Sequence, residues 1–513
     1  MAYGLADSAD KSPDGIAITD GVTELTWLQI NSIVNRTVAW LLDTVDPGQR
    51  VAIMAENSIH TALAHLAGTY AGMSVVPVNS MLTAEEVGYI LGDAAVRLVL
   101  CSATTAPRAR QGSATAHVVA WGQPDIDGVE DFDELIGKYT DTEPDQMITP
   151  TAPVYYTSGT TGLPKGVALP AQMYPRGATM VEYVQQVAES AIRPRGRHLI
   201  VSPLHHVGPI GGVRALMVAN PAVLLGKFDP ERVLSFIERF HIEHTMMVPT
   251  HFARLLALPE EVRSRADVST LRTVVHTGAA CPPQTKRAMI DWWGPILLEA
   301  YGSTEAGTVT MIDSHDWLAH PGSVGRALPG VDLTIRDDDG RLVPQGSNGM
   351  VCVGFTDGTR PEYFNDPDKT RRSYLAEGAF ATGEVGYLDA QGYLYLTDRA
   401  SDLVISGGVN VYPAESEAVL RTHPDVADVA VIGIPHNDFG ETLCALVMPA
   451  QGTADPAELL EYCRAHLTHY KCPSIVEIYP GELRNPMGKV NKRQLRQDYL
   501  SAHPECCATR SAS

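Results

Sequence analysis

The sequence is poor in the features that mark membrane, exported and zinc-binding proteins. Its eight cysteines include no Cys-x-x-Cys pair and no Cys/His cluster with zinc spacing, so we expect no structural metal. No run of about 18 apolar residues is present, which argues against a transmembrane helix. The first residues lack the basic and apolar segments of a signal peptide. Scattered cysteines in such a chain are typical of reduced thiols, so we expect a cytoplasmic protein.

Basic residues are also scarce. The chain has 39 Lys and Arg against 60 Asp and Glu, which gives a formal net charge of −21. An acidic surface repels the phosphate backbone, so we expect no nucleic-acid partner. The hydrophobic share of 44% and the charged share of 19% are ordinary for a globular protein. A chain of 513 residues is too long for one core, so two or more domains are expected.

Apolar strand-like runs alternate with helical patterns through the first part of the chain. Residues 50–56, 75–78 and 97–101 have the composition of buried strands, and residues 60–72 between the first two have a helical pattern. This alternation predicts parallel sheets with helices packed on their faces. Further buried strands are predicted at residues 154–157, 199–202, 245–248 and 271–276.

The pattern changes after about residue 320. Short strand-like runs separated by turn signals dominate there, including a predicted hairpin with Gly392 at its turn. The last part of the chain predicts helices at 414–422 and 457–467 and strands at 426–435 and 442–449. The expected fold class is therefore α/β, with a large N-terminal region of stacked sheets, a β-rich subdomain and a small mobile α+β C-terminal lid.

The strongest local signal is the loop that follows the predicted strand at 154–157. Residues 155–167 are YYTSGTTGLPKGV. Glycines let backbone N–H groups approach an anion, the hydroxyls add donors and Lys165 adds a positive charge, so the composition favours a polyphosphate cradle. A Gly/Thr surface loop is the alternative that composition leaves open. Lys165 lies between proline and glycine, so this is not a Walker A loop and a P-loop kinase is disfavoured.

The string TSGTTGLPKG at 157–166 resembles the phosphate-loop signature of the adenylate-forming superfamily. This superfamily contains acyl-CoA synthetases, non-ribosomal peptide adenylation domains and beetle luciferases. Five further matches follow in the family's order along nearly the whole chain: PLHH at 203–206, YGSTE at 301–305, TGEVGYLD at 382–389, RASDLVISGGVNVYPAESE at 399–417 and NPMGK at 485–489. The resemblance is nearest to bacterial acyl-CoA ligases for bulky acids.

The resemblance implies a nucleotide site made from several motifs. The implied phosphate-binding residues of the first motif are Thr157, Ser158, Gly159, Thr160, Thr161, Gly162 and Lys165. The later motifs would supply Ala279, Tyr301 and Gly302 near adenine, Thr304 at phosphate, Glu305 as the Mg²⁺ ligand, and Glu384 with Arg399 at the ribose. A hard cation suits a carboxylate together with ATP oxygens. An exposed loop position for Glu305 and a surface salt bridge for Glu384 and Arg399 are the alternatives.

The same resemblance implies two catalytic steps and a coenzyme A site. Lys489 would bridge the reacting carboxylate and the α-phosphate, where a cation stabilises developing negative charge. His206 would form a wall of the acyl pocket, with a packed core histidine as the alternative. After acyl-AMP has formed, the lid would rotate, withdraw Lys489 and present Gly407 and Gly408 to the thin pantetheine arm of coenzyme A. A simple turn is the alternative for these glycines.

The implied domains are an N-terminal ATP- and acyl-binding domain over 1–399, a C-terminal lid over 400–500 and a disordered tail over 501–513. Two positions depart from the family pattern. Glu384 replaces the usual aspartate, and Ser401 replaces the usual hinge aspartate or lysine. We therefore also consider an enzyme that is specialised for one half-reaction.

Residues 204–214 contain no acidic side chain, so an α-amino acid substrate is disfavoured. Small residues predicted along the acyl pocket would leave room for a bulky apolar acid, although small residues also allow helices to pack closely: Gly208, Gly211, Gly212, Ala279, Ala280 and Ala306. The expected function is ATP-dependent ligation of such a carboxylic acid to coenzyme A. A carrier-protein acceptor, light emission and a non-catalytic nucleotide-binding protein remain alternatives.

Overall fold

The structure is a computed structural model that describes residues 4–504 except 158–163, 170–173, 175–176, 191–192, 338, 400–401, 403, 407–408, 437–438 and 486–487. The helices along the described chain are α1 (Leu5–Lys11), α2 (Trp27–Thr44), α3 (Ile59–Tyr70), α4 (Ala84–Asp93), α5 (Ala106–Gly112), α6 (Phe132–Ile136), α7 (Met180–Glu189), α8 (Val207–Ala215), α9 (Pro230–Phe240), α10 (Pro249–Leu256), α11 (Glu260–Arg265), α12 (Pro283–Trp293), α13 (Ser314–Ala319), α14 (Pro367–Arg372), α15 (Pro413–Leu420), α16 (Pro456–His466) and α17 (Lys492–Ala502).

The strands of the large region, residues 4–399, are β1 (Ile16–Thr19), β2 (Glu24–Thr26), β3 (Arg50–Met54), β4 (Ser74–Pro77), β5 (Leu98–Ser102), β6 (His117–Trp121), β7 (Glu130–Asp131), β8 (Val154–Thr157), β9 (Lys165–Ala168), β10 (His198–Ile200), β11 (Ala222–Leu224), β12 (His244–Met247), β13 (Thr273–His276), β14 (Leu297–Ser303), β15 (Gly307–Asp313), β16 (Ser323–Ala327), β17 (Val331–Arg336), β18 (Gly349–Phe355), β19 (Tyr374–Ala376), β20 (Ala379–Leu388) and β21 (Leu394–Arg399). Those of the C-terminal region, from residue 402 on, are β22 (Val404–Ser406), β23 (Val409–Val411), β24 (Val426–His436), β25 (Gly440–Pro449) and β26 (Ile475–Ile478).

The first sheet is parallel and has the strand order β4-β3-β5-β6-β7. Residues Val51–Met54 of β3 and Leu98–Cys101 of β5 are buried without alternation. A strand covered on both faces has no solvent side, so it reads as a continuous apolar run in the sequence. The strands predicted at 50–56, 75–78 and 97–101 and the helix predicted at 60–72 are confirmed, with ends that differ by a few residues.

The larger sheet joins a parallel part to an antiparallel part. Strands β1, β11, β10, β12, β13 and β14 run parallel in that order. The chain then reverses at β15 and continues through β16, β21, β20, β18 and β17 as antiparallel neighbours. The change of texture predicted near residue 320 corresponds to this antiparallel part.

Local sequence signals set several helix starts in the large region. Thr26 and Gln29 form a capping box at α2, in which each side chain accepts a hydrogen bond from the other residue's backbone N–H. Asp229 caps α9, and Pro230 follows at its first turn, where a missing N–H costs nothing. These helices pack on the sheet faces as the alternating pattern predicts.

The C-terminal region has a sheet of order β23-β22-β25-β24, with β26 parallel to β25. Helices α15, α16 and α17 accompany it, which confirms the predicted small α+β unit after the large α/β region. Helix α17 extends to Ala502, so helical residues enter the segment predicted as a tail; residues 505–513 lie outside the described part. Among the described helices, none is long and apolar enough to cross a membrane.

Candidate active site

A cleft with a volume of about 3180 Å³ is lined by residues of both the large region and the C-terminal region. Small-molecule pockets usually measure about 300–1,000 Å³. The cleft can therefore hold more than one ligand at a time.

One wall of the cleft begins at the β8–β9 hairpin. Thr157 and Lys165 are opposite each other in its register, and both line the cleft. The hydroxyl of Tyr156 donates to Asp93 Oδ2 at 2.5 Å, which ties the hairpin to α4. The predicted phosphate-loop residues between the two strands lie outside the described residues: Ser158, Gly159, Thr160, Thr161 and Gly162.

A second wall comes from β14 and β20. The hydroxyl of Tyr301 lies 3.1 Å from Glu384 Oε2 and 3.3 Å from Thr382 Oγ1, so it can donate to either oxygen. Gly302 follows at a bulge, where a methyl group would overlap the carbonyl oxygen of Gly307. The backbone of Arg399 is opposite Glu384 in the β20–β21 register, but its side chain lies outside the described part. The loop residue Ala279, after β13, also lines the cleft.

Glu305 and Thr304 line the cleft next to this wall. Burial raises the pKa of Tyr363, and Glu305 raises it further by its charge and by a hydrogen bond with the phenol. Among the described residues, no group of three or more His, Cys, Asp or Glu side chains could hold a metal. A single carboxylate facing a wide cleft fits Mg²⁺ whose other ligands are phosphate oxygens and water.

A buried charge pair joins α12 to β14, the strand that carries Tyr301. Lys286 Nζ is 2.6 Å from Glu299 Oε2, and the side chains are 0% and 7% exposed. The lysine ammonium also lies 4.9 Å from the centroid of the Trp317 ring. Burial lowers the pKa of Lys286 and raises that of Glu299, and each group opposes the shift of the other. Burial, reinforced by the Lys286 charge, lowers the pKa of His276, so this neighbouring imidazole is neutral.

The C-terminal region contributes the loop that carries Lys489. Arg484 forms two hydrogen bonds with Asp428, at 2.5 and 3.0 Å, and donates to the carbonyl of Gly488 at 2.8 Å. The backbone N–H of Lys489 donates to Asn485 Oδ1 at 3.0 Å. A methyl group on Gly488 would overlap the Thr250 hydroxyl, so the loop is in close contact with α10. Arg484 is the centre of this arrangement.

The structure places His206 near this loop. His206 precedes α8 and lines the cleft, and its ring centroid is 4.1 Å from that of His205. Burial, followed by the charges of His205 and Lys489, lowers the pKa of His206 to about 2. The imidazole is therefore neutral at physiological pH and can act only as a neutral donor or acceptor.

The small residues predicted for the acyl pocket have different environments. A methyl group on Gly208 would meet Met246 Sδ at 2.7 Å, and one on Gly212 would meet His198 Nε2 at 2.8 Å. These two glycines allow α8 to pack closely on the sheet. A methyl group on Gly211 would meet nothing within 4 Å, so only this glycine of α8 adds open space.

The three alanines predicted for the acyl pocket also have different environments. Ala279 and Ala280 line the cleft. Ala306 is 0% exposed and packs with Val309 and Val353, so the expectation that it enlarges the pocket is replaced by a packing role.

Sequence reasoning missed several cleft-lining residues. Three of them belong to no motif recognised in the sequence: Lys369, Asp428 and Arg484. The fourth, Thr382, begins the TGEVGYLD motif but was given no role. Gly407 and Gly408, predicted for the coenzyme A site, and Ser401 at the predicted hinge lie outside the described residues.

Two family matches cover most of the chain. The AMP-binding enzyme family matches residues 5–363, and the AMP-binding enzyme C-terminal domain matches residues 415–489. A long-chain-fatty-acid–CoA ligase of Mycobacterium tuberculosis is 32% identical over 525 residues, covering 98% of this chain and 99% of that protein. The 3-[(3aS,4S,7aS)-7a-methyl-1,5-dioxo-octahydro-1H-inden-4-yl]propanoyl:CoA ligase of Rhodococcus jostii is 32% identical over 512 residues, covering 94% and 95%.

The solved structures include a similar protein with nucleotide bound. ATP-bound MatB from Rhodopseudomonas palustris matches with a TM-score of 0.81 and 29% identity, covering 97% of this chain and 98% of that one.

Proposed function

The chain belongs to the family of AMP-binding enzymes, and on that premise we propose that it joins a carboxylic acid to coenzyme A while ATP is cleaved to AMP and pyrophosphate. The family match confirms the resemblance drawn from the sequence motifs. The observation that supports the proposal best is the shared cleft. Lys165, Tyr301, Glu305 and Glu384 of the large region line it together with Lys489 of the C-terminal region.

In the first half-reaction, a carboxylate oxygen of the acid attacks the α-phosphorus of ATP and pyrophosphate leaves. Lys165 and Thr304 would bind phosphate oxygens, and Glu305 would hold Mg²⁺, which supplies positive charge against the phosphates when bound. Lys489 lies between the two anions that must approach each other, so its ammonium stabilises the charge that develops there. Neutral His206 contributes to the wall of the acyl pocket without adding a second positive charge.

In the second half-reaction, the thiolate of coenzyme A attacks the acyl carbon and AMP leaves. One cleft cannot present both Lys489 and a thiol channel to the same acyl group, so we infer that the C-terminal region turns between the two steps. This proposal divides the chain at residue 399 and assigns ATP and acyl binding to the part before it. It assigns Gly407 and Gly408 to the channel.

The acid is proposed to be bulky and apolar. Two of the relatives are named for a long-chain fatty acid and for a fused-ring propanoate. The open space at Gly211 and the apolar part of the cleft lining are consistent with such a group. Dicarboxylic, aryl and short-chain acids are the competing substrate classes.

The direct test is incubation of the protein with Mg·ATP, coenzyme A and a panel of fatty, fused-ring, aryl and short-chain acids. Acyl-AMP and acyl-CoA are then identified by mass spectrometry. We expect acyl-CoA from at least one bulky acid, with AMP and pyrophosphate in equal amounts. A holo-carrier protein, tested beside coenzyme A, identifies the acceptor. Nucleotide binding without a product from any acid would favour a non-catalytic protein.

A second candidate function is specialisation for one half-reaction. It rests on Glu384, whose carboxylate lies within hydrogen-bond distance of the Tyr301 hydroxyl instead of facing only the cleft. Aspartate would withdraw the carboxylate by about one bond length, or ~1.5 Å. If Glu384 limits adenylation, Glu384→Asp is expected to raise its rate at least severalfold in ATP–pyrophosphate exchange. An unchanged rate rules this candidate out.

A further inference from the structure

Lys369 lies in α14, and the segment just before this helix is bonded to the β8–β9 hairpin. Asp366 caps α14 by accepting a hydrogen bond from the Lys369 backbone N–H at 2.9 Å, and Pro367 follows at the first turn. Upstream of the helix, the N–H of Phe364 donates to the carbonyl of Gly166 at 2.8 Å. Gly166 is the neighbour of Lys165 in β9, so the two lysines belong to segments that are hydrogen-bonded to each other.

The Lys369 side chain faces the same cleft as Lys165. Its Nζ atom lies 3.1 Å from the centroid of the Tyr363 ring, which fixes its direction through a cation–π contact. Lys165 is within hydrogen-bonding reach of this ammonium, and both lysines line the cleft with Glu305. The arrangement thus places two amines beside the carboxylate proposed for Mg²⁺.

Two adjacent ammonium groups repel each other, and an anion that binds between them offsets this repulsion. The anion must also be able to bind next to Glu305, the carboxylate proposed to hold Mg²⁺. A polyphosphate with Mg²⁺ would meet this condition, because Glu305 would hold the metal and the metal's positive charge would offset the negative oxygens nearby.

We propose that Lys369 binds the terminal phosphates of ATP beside Lys165 and stabilises the departing pyrophosphate. The assignment rests on the proposed function and adds a residue to its nucleotide site. The β- and γ-phosphates leave after the first half-reaction, so Lys369 acts in adenylation and has no role in thioester formation.

The test compares Lys369→Met with the wild-type enzyme in the two half-reactions separately. Methionine keeps an unbranched stem over Tyr363 and removes the charge. Loss of a charge-assisted hydrogen bond is expected to raise the KM for ATP in ATP–pyrophosphate exchange about tenfold or more, and to weaken pyrophosphate inhibition similarly. Thioester formation from preformed acyl-adenylate and coenzyme A should stay within about twofold of wild type, since that step contains no terminal phosphates.

Arg371→Met is the matched control, because it removes a charge from the same helix at a side chain that is 77% exposed. It should leave both half-reactions unchanged. Lys369→Arg should recover part of the ATP affinity. Equal losses in both half-reactions would instead assign Lys369 a structural role, and wild-type behaviour in both would exclude the phosphate contact.

Binding of Mg·ATP and of magnesium pyrophosphate by calorimetry separates this proposal from the proposed function. If wild type binds both ligands and Lys369→Met binds them about tenfold more weakly, the phosphate contact holds even when no acid yields a thioester. If wild type and variant bind alike, the contact is excluded whatever reaction the protein catalyses. If wild type binds neither ligand, the phosphate assignment is also excluded.

Discussion

Two groups of charged side chains border the same cleft, and they differ in how much water reaches them. In the large region, Lys286 and Glu299 are 0% and 7% exposed, and they join α12 to β14, the strand that carries Tyr301. In the C-terminal region, Arg484 and Asp428 are 26% and 13% exposed and hold the loop that carries Lys489. Both contain a short ion pair, but only the first is almost fully removed from solvent.

The difference in solvent exposure indicates that the two ion pairs have different structural roles. A fully buried pair cannot separate without leaving a charge in a medium of low polarity, so it keeps one arrangement of β14 and α12. A partly exposed pair can exchange its partner for water at a small cost, which suits a loop that must approach and leave the reacting groups. Measurements on variants of both regions can test this contrast between a rigid wall and a releasable loop.

The largest expected effect is on stability in the large region. Glu299→Ala leaves Lys286 buried without its partner, which should cost about 3–5 kcal/mol. Denaturant unfolding, followed by the buried Trp317 and Trp293 environments, measures the loss. The double variant Lys286→Met with Glu299→Leu should regain most of it. A single variant as stable as wild type would show that the pair is not the anchor of this wall.

The next largest effect is catalytic and belongs to the C-terminal region. Lys489→Ala should slow adenylation about 100- to 1,000-fold, because the cation at the two approaching anions is lost. Thioester formation from preformed acyl-adenylate should persist, since the proposed mechanism withdraws Lys489 in that step. Arg464→Ala, on α16 at a side chain that is 56% exposed and does not line the cleft, is the control. Equal losses in both half-reactions would contradict the alternation of the two steps.

A smaller effect is expected from the ion pair that supports this loop. Asp428→Asn removes the carboxylate that Arg484 contacts, so the Gly488 carbonyl and the adjoining Lys489 are held less firmly. Adenylation should fall about tenfold, equivalent to about 1.4 kcal/mol, while thioester formation changes little. Asp425→Asn, on the exposed turn before β24, serves as the comparison. A stability loss as large as that of Glu299→Ala would remove the proposed contrast between the regions.

The smallest expected effect is a loss of stability at acidic pH that is due to a buried histidine of the large region. His198 is 2% exposed, and burial lowers its pKa from 6.5 to about 3. The folded pKa is below the unfolded one, so the stability it supports is present above about pH 6.5 and declines as the pH falls toward 3. At about pH 5.8 the loss amounts to about 1 kcal/mol. His198→Leu should flatten the pH dependence of unfolding in that range; an unchanged slope would contradict it.

Local patterns in the sequence were sufficient for much of the fold. Continuous apolar runs predicted β3, β4 and β5 because these strands are covered on both faces, and short runs separated by turn signals predicted the β-rich part. Ends were less exact, since a strand ends where its pairing ends, as β10 does at Ile200 between β11 and β12. The return of helical patterns after the predicted hairpin was enough to separate the large region from the α+β unit.

Motifs identified residues of the candidate site by chemistry, and the structure shows which of them line one cleft. Lys165, Tyr301, Glu305, Glu384 and Lys489 do so, although they are spread over most of the chain. For Ala306 the sequence pattern led to a wrong expectation, because an alanine next to a motif can as well be buried in a core. A small side chain carries no information about whether it faces a cavity or a packed core.

By itself, the sequence determined the alternation of elements and the family motifs, because each depends on residues that are neighbours in the chain. It also determined the net negative charge, which depends on composition alone. Tertiary structure alone decided that Lys369 meets Lys165, that Arg484 meets Asp428 and that Lys286 is buried against Glu299. The partners of the last two pairs are 56 and 13 residues apart. Such pairs have no periodicity or fixed spacing, and they form only where packed elements bring distant backbone segments together.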